Sequence, residues 1–176
     1  MEKVQIQDFP FVVIPVVLVA TEHNGKVNFA PHGQYGTITA EPPVIYISVI
    51  KEHLTARNIL QTKQFSVNIP GKAALDALLH CGNVSGNEAD KSKAFKTFYG
   101  NLKIPMIEEC RINYTCQTVR EIEIHDCYMF LGAIKETYID KSCLDGAAPD
   151  IPAIDPLLAS IGGKFWTIEQ VIKTYP

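Results

Sequence analysis

An uninterrupted apolar run from Phe11 to Ala20 reads as a strand buried on both faces. His23-Asn24-Gly25-Lys26 follows, and Asn-Gly supplies the two positive φ angles of a type I′ hairpin turn, so Val27 begins the returning strand. After the Glu41-Pro42-Pro43 turn, a strand from Val44 to Ile50 puts Ile45, Ile47 and Val49 on one face and Tyr46 and Ser48 on the other. Thr55 to Thr62 reads as a short helix, with Thr55 as N-cap and an apolar stripe through Ile59 and Leu60. Phe65, Val67 and Ile69 then alternate as a strand that Pro70-Gly71 ends. Lys72 to Cys81 predicts a helix with Ala74, Leu75, Leu78 and Leu79 on one face and Gly82 as its stop. A polar loop, Asn83 to Lys93, leads toward two long strands, Arg111 to Arg120 and Asp126 to Asp140, the second apolar on both faces around Met129, Phe130 and Leu131. A tail with Pro149, Pro152 and Pro156 runs to Phe165-Trp166 and a short terminal helix.

Strands outnumber helices and hairpin-scale turns join most of them, whereas a doubly wound sheet needs helical crossovers that this pattern lacks. The expected architecture is mainly β with short helices: a small antiparallel barrel with helices at its ends. At 176 residues it is expected to form a single domain over 1–176, and a composition of 47% apolar and 20% charged residues is that of an ordinary globular chain. The balance of 16 basic and 19 acidic residues, net −3, implies no polyphosphate surface, so nucleic acid is not an expected partner. The uncharged run Phe9 to Ala20 is too short to span a bilayer, and Glu2, Lys3 and Asp8 before it do not make the positive start of a secretory leader. Five cysteines without a C-x-x-C pair fit a reducing compartment, so the expected location is the cytoplasm.

Spacing removes several chemistries. There is no phosphate-loop, dinucleotide-fold or H-E-x-x-H pattern. Gly82-Asn83-Val84-Ser85-Gly86 resembles a nucleophile elbow, but its serine is one place late and no strand precedes it. A metal centre from Cys110, Cys116, Cys127 and His125 is disfavoured, because Cys110 and Cys116 lie about 20 Å apart on a straight strand. The thiols read as small apolar core residues, and His23 and His80 as solvated or capping groups, so no metal is expected. An anion site is the stronger candidate. The segment Lys51 to Asn58 leads from a strand into a helix start, where free backbone N–H groups, the Thr55 hydroxyl and Arg57 can converge on a phosphate; a plain Thr55 cap accounts for the same residues. Ser85, Gly86 and Lys91 form a second such cluster, or a solvated loop.

Taken in order, these segments resemble the flavin reductase-like, FMN-binding split-barrel family, in its flavoredoxin-like branch. The resemblance rests on Asn28-Phe29-Ala30-Pro31 after the hairpin, Pro42-Pro43, Thr55-x-x-Asn58-Ile59, and Phe65-Ser66-Val67-Asn68-Ile69-Pro70. It continues through Cys81-Gly82-x-x-Ser85-Gly86-x-x-x-Asp90-Lys91, Pro105, Glu109-Cys110, and Asp126 with Phe130-Leu131-Gly132, so that it spans residues 10 to 140. It implies a homodimer of split β-barrels with noncovalent FMN near the subunit boundary. Carried over, the backbone from Ala30 to Thr37, including Pro31, would line the isoalloxazine edge, with His32 and Gly33 where the family often has a bulkier residue and serine. Ser48, Thr55, Arg57, Asn58, Ser85 and Lys91 would hold the ribityl phosphate region. Two departures stand out: Asn87 replaces an arginine common after Ser-Gly, and His125-Asp126-Cys127 occupies the slot where nicotinamide-using members have Gly-Asp-His.

The expected function is electron transfer through bound FMN, as a flavin reductase-type oxidoreductase or a flavoredoxin-like carrier, with no side chain assigned as catalytic. The electron donor is NAD(P)H or a reduced redox protein, and the acceptor a small molecule or a protein. An FMN-binding module without turnover, a sensor or store, is the alternative that Cys127 favours; a zinc-dependent hydrolase is a third, resting on the thiols alone.

Overall fold

The computed structural model describes residues 1–5, 13–160 and 163–168. Its elements are β1 (Ile14–Pro15), β2 (Val17–His23), β3 (Lys26–His32), β4 (Tyr35–Ala40), β5 (Pro43–Ile50), α1 (Leu54–Thr62), β6 (Gln64–Ile69) and α2 (Leu75–Asn83). There follow β7 (Thr97–Tyr99), β8 (Pro105–Ile107), β9 (Ile112–Ile124), β10 (Cys127–Ile139), β11 (Leu144–Asp145), β12 (Ala148–Pro149), α3 (Ile151–Ile154), β13 (Leu158–Ala159) and β14 (Phe165–Trp166).

Seven strands form one antiparallel sheet in the order β3-β2-β6-β9-β10-β5-β4. Its two edge strands, β3 and β4, are neighbours in sequence, joined only through Gly33 and Gln34. Three residue steps reach about 11 Å at most, so the sheet must curl until its edges meet at that end. The Ser48 N–H donates to the Gln34 carbonyl at 2.9 Å, which ties the corner to β5. The result is a barrel left split between β3 and β4.

The apolar run does bury both faces of its strand. Val17 and Val19 point into the barrel with Ile45, Ile47, Val49, Phe65, Val67 and Phe130, and Ala56 and Ile59 of α1 join that core. Leu18 and Ala20 point outward beneath α2, packing with Phe29, Leu78 and Phe95. Phe29 and Phe95 meet edge to face at 5.4 Å. The predicted strand covers β1 and β2, divided at Val16; Phe11 and Val12 lie outside the described residues, as does the expected terminal helix beyond residue 168. Asn24 and Gly25 have φ of 53° and 72°, as the hairpin turn requires.

Several boundaries differ from expectation. Helix α1 starts at Leu54 with His53 as N-cap, making no side-chain cap bond, so Thr55 is not the cap. Lys72–Ala74 forms a 3₁₀ turn, and α2 runs through Gly82 to Asn83 rather than stopping there. Gly82 is small for another reason: a Cβ would sit 3.1 Å from Pro31 Cγ, so α2 can lie close on β3. Leu79, expected on the packed face, is 39% exposed. The long hairpin is Ile112–Ile124 and Cys127–Ile139, which puts His125 in its two-residue turn at φ 50°, not on a strand. On β10 only Phe130 of the apolar trio is fully buried; Met129 and Leu131 are half-buried.

Candidate functional site

Three segments that the fold brings together enclose a polar cavity of about 260 Å³. Strand β3 supplies Asn28, Ala30 and Pro31; the start of α1 supplies His53, Leu54 and Thr55; the end of α2 and the loop after it supply Cys81 to Gly86 and Lys91. No carboxylate is among these lining residues. Lys91 is only 6% exposed, and its Nζ donates to the Cys81 carbonyl at 2.6 Å, with no acidic partner among the described residues. Burial holds its pKa below the usual lysine value. The first turn of α1 is uncapped, so its N–H groups and the positive end of its dipole are available there.

Asn28 forms the floor. Its Nδ2 donates to Thr55 Oγ1 at 3.0 Å, while its Oδ1 is buried with no hydrogen-bond partner among the described residues. Gly86 approaches so closely that a Cβ there would lie 2.3 Å from Asn28 Oδ1 and 3.1 Å from Leu54 Cδ2. Thr55 is 1% exposed, so its hydroxyl serves both the Asn28 amide and the cavity wall.

Beyond Pro31, Gly82 and Asn83 the cavity continues into an apolar trough of about 300 Å³, walled by Ile14, Val16, Leu78, Leu79, Ala159 and Phe165, with His32 and Gly33 at its edge. No charged side chain is among its described lining residues. His32 is 7% exposed; desolvation first, then the neighbouring His53 and Lys91, bring its pKa down to about 4, against an opposing hydrogen bond to the Ser48 backbone.

Of the ten residues expected at the site, Ala30, Pro31, Thr55, Ser85 and Lys91 meet around the polar cavity, and His32 and Gly33 border the adjoining trough. Three do not line either. Ser48 contributes its backbone, to Gln34 and His32, rather than its hydroxyl. Asn58 is 4% exposed and donates to Thr21 Oγ1 at 3.0 Å, a cross-link between α1 and β2. Arg57 is exposed on the outer side of α1 and donates to Asn87 Oδ1. Asn28 and Asn83 line the cavity although neither was expected there. A usable signal existed for Asn28, since strand alternation places it on the same face as Ala30. Among the described residues no three His, Cys, Asp or Glu side chains gather as a metal site would require. Cys110 lies in the core under α2 and Cys116 inside the barrel, and burial pushes both thiols well up from the usual value.

The fold is thus a split antiparallel barrel with a cavity at the start of α1 whose described lining holds Lys91 and no carboxylate. Residues 11–160 match the family model described as flavin reductase like domain, and the chain belongs to that family. The crystal structure of flavoredoxin from Methanosarcina acetivorans is 35% identical, covers 99% of this chain and 95% of its own, and superposes with a TM-score of 0.94. Flavoredoxin of Desulfovibrio vulgaris (Miyazaki F) is 24% identical over 99% of this chain and 97% of its own, TM-score 0.90, and shows the shared fold. So does an FMN-binding protein from Thermus thermophilus solved with p-hydroxybenzaldehyde, 20% identical over 100% and 97%, TM-score 0.85. The function is flavin-related, and no helix among the described residues is long and apolar enough to cross a membrane.

Proposed function

We propose that this protein binds FMN noncovalently in the polar cavity and its trough, and transfers electrons through it as a flavin reductase or flavoredoxin-like carrier. The observation that carries the reading is Lys91, a buried ammonium beside a cavity that no described carboxylate lines. A buried cation without a counter-charge is costly, and an arriving phosphate relieves that cost. Lys91, the first-turn N–H groups of α1, the Ser85 hydroxyl and the Gly86 backbone would hold the phosphate. Charge-assisted hydrogen bonds contribute about 1.5–3 kcal/mol each, so three or four supply the roughly 8 kcal/mol of micromolar binding. Ala30 to Gly33 and the apolar trough would receive the flat ring and keep water from it.

Bound FMN supplies hydride and single-electron chemistry. The chain binds, orients and shields. His32, the titratable group bordering the trough, is neutral at physiological pH, so no side chain there is assigned a proton. Purified protein is expected to be yellow, and chromatography of the released cofactor to give FMN; recovery of FAD alone would overturn the assignment. Cys127 keeps a second reading in view, an FMN-binding module without turnover. Anaerobic reduction by NADH, NADPH or a reduced protein separates the two, since a module without turnover accepts electrons usefully from none of them.

A further inference from the structure

The loop wall of the phosphate pocket is held to the helix wall by one side chain, Asn87. Its Nδ2 donates to the Glu52 carbonyl at 3.0 Å, and its Oδ1 accepts from Arg57 Nη2. Its own N–H donates to Ser85 Oγ at 3.2 Å. Glu52 and Arg57 flank the first turn of α1, whose residues His53, Leu54 and Thr55 face the cavity. Next to Asn87, Gly86 sits against Asn28 and Leu54 with no room for a Cβ. A planar amide that donates at one end and accepts at the other can span from a backbone carbonyl to a guanidinium; neither lysine nor arginine offers both.

We propose that Asn87 is a positioning residue that latches the Ser85–Lys91 loop across the start of α1, and that Arg57 acts on the cofactor through this latch rather than by touching its phosphate. The proposal rests on the FMN reading above. A latch outside the binding contacts acts on escape: opening of the loop precedes release, so it governs the dissociation rate and leaves association nearly untouched. Losing both amide arms should accelerate release about tenfold, the effect of one to two ordinary hydrogen bonds.

Stopped-flow measurement of FMN association and dissociation in wild type, Asn87→Ala, Asn87→Asp, Arg57→Ala and the Asn87→Ala/Arg57→Ala double variant tests this. Asn87→Ala and Arg57→Ala should each speed release severalfold to tenfold with association changed less than twofold, and the double variant should release no faster than Asn87→Ala. Asn87→Asp, which keeps the acceptor for Arg57, should fall between wild type and Asn87→Ala. Unchanged release in Asn87→Ala, or single effects that multiply in the double variant, would overturn the latch while leaving FMN binding in place. A wild type that takes up no FMN would overturn both readings.

Discussion

Lys91 is the residue at which stability and binding oppose one another. At 6% exposure, without a carboxylate partner among the described residues, the Lys91 ammonium pays a desolvation penalty that holds its pKa below the usual lysine value. Lys91→Met is therefore expected to weaken FMN binding by about 1–3 kcal/mol while leaving the empty protein as stable as wild type or more so; titration and thermal melts of the same samples check both halves. His32 carries a second opposition. Its pKa is about 4 in the fold against 6.5 unfolded, so between those values the unfolded chain takes up a proton that the native state refuses. Stability therefore rises with pH across that window and is lost on acidification, by roughly 3 kcal/mol in all. In His32→Gln the difference in unfolding free energy between pH 7 and pH 4.5 should shrink by most of that amount, and an unchanged difference would remove His32 as its source. At this scale local spacing reaches some positions and not others. Their short spacing brings Lys91 and Ser85 to one cavity wall, but Asn58 and Arg57 each satisfy a partner 30 or more residues away, which no local spacing encodes.

Strand β6 shows what alternation conceals. Phe65, Val67 and Ile69 mark an apolar face, and the opposite face, Ser66 and Asn68, looks solvated; both are 0% exposed. Asn68 accepts from the Ile107 N–H and Asn113 Nδ2, and donates to the Leu18 carbonyl and Ser66 Oγ, so one amide joins β2, β6, β8 and β9. Asn68→Ala leaves several buried groups without partners and should cost about 3 kcal/mol or more of unfolding free energy. Denaturant titration at constant slope tests that figure. Between elements, the demand on Gly86 is steric: Gly86→Ala should force the loop away from Asn28 and lower FMN affinity at least tenfold without a comparable loss of fold stability. Equal affinity in that variant would mean the loop relaxes at no cost. The helices were legible as stripes; their ends were not, because Thr55 and Gly82, the expected cap and stop, are used instead for contacts with β3.

Across the whole molecule, the antiparallel character follows from short turns, whereas the split between β3 and β4 depends on a sheet order that only the family resemblance supplied. That resemblance also implies a homodimer, for which we propose the apolar tail around Phe165-Trp166 as a surface to bury, Trp166 being 43% exposed; Ile50 and Ile124, which flank Cys127 across β5, β9 and β10, are 41% and 42% exposed. Light scattering at micromolar concentration should give about twice the 19.5 kDa chain mass, and a monomer holding stoichiometric FMN would remove the shared-interface site. The choice of electron donor is a property of the same scale. Cys127 begins β10 with its thiol 3.5 Å from Asp126 Oδ1, and His125 stands at the hairpin apex; neither lines the cavity or the trough. A nicotinamide dinucleotide carries two phosphates of its own, and the trough presents no cation among its described residues. Wild type is therefore expected to take electrons from NADH or NADPH slowly, about 30-fold to 150-fold below a flavin reductase that carries the histidine of that slot, a deficit of roughly 2–3 kcal/mol in orientation and charge complementarity, and a reduced low-potential protein should outperform both nicotinamides. Anaerobic stopped-flow reduction decides it, since fast and saturable bleaching of the wild-type flavin by either nicotinamide would show that this barrel needs no histidine in that slot and works as a flavin reductase as it stands.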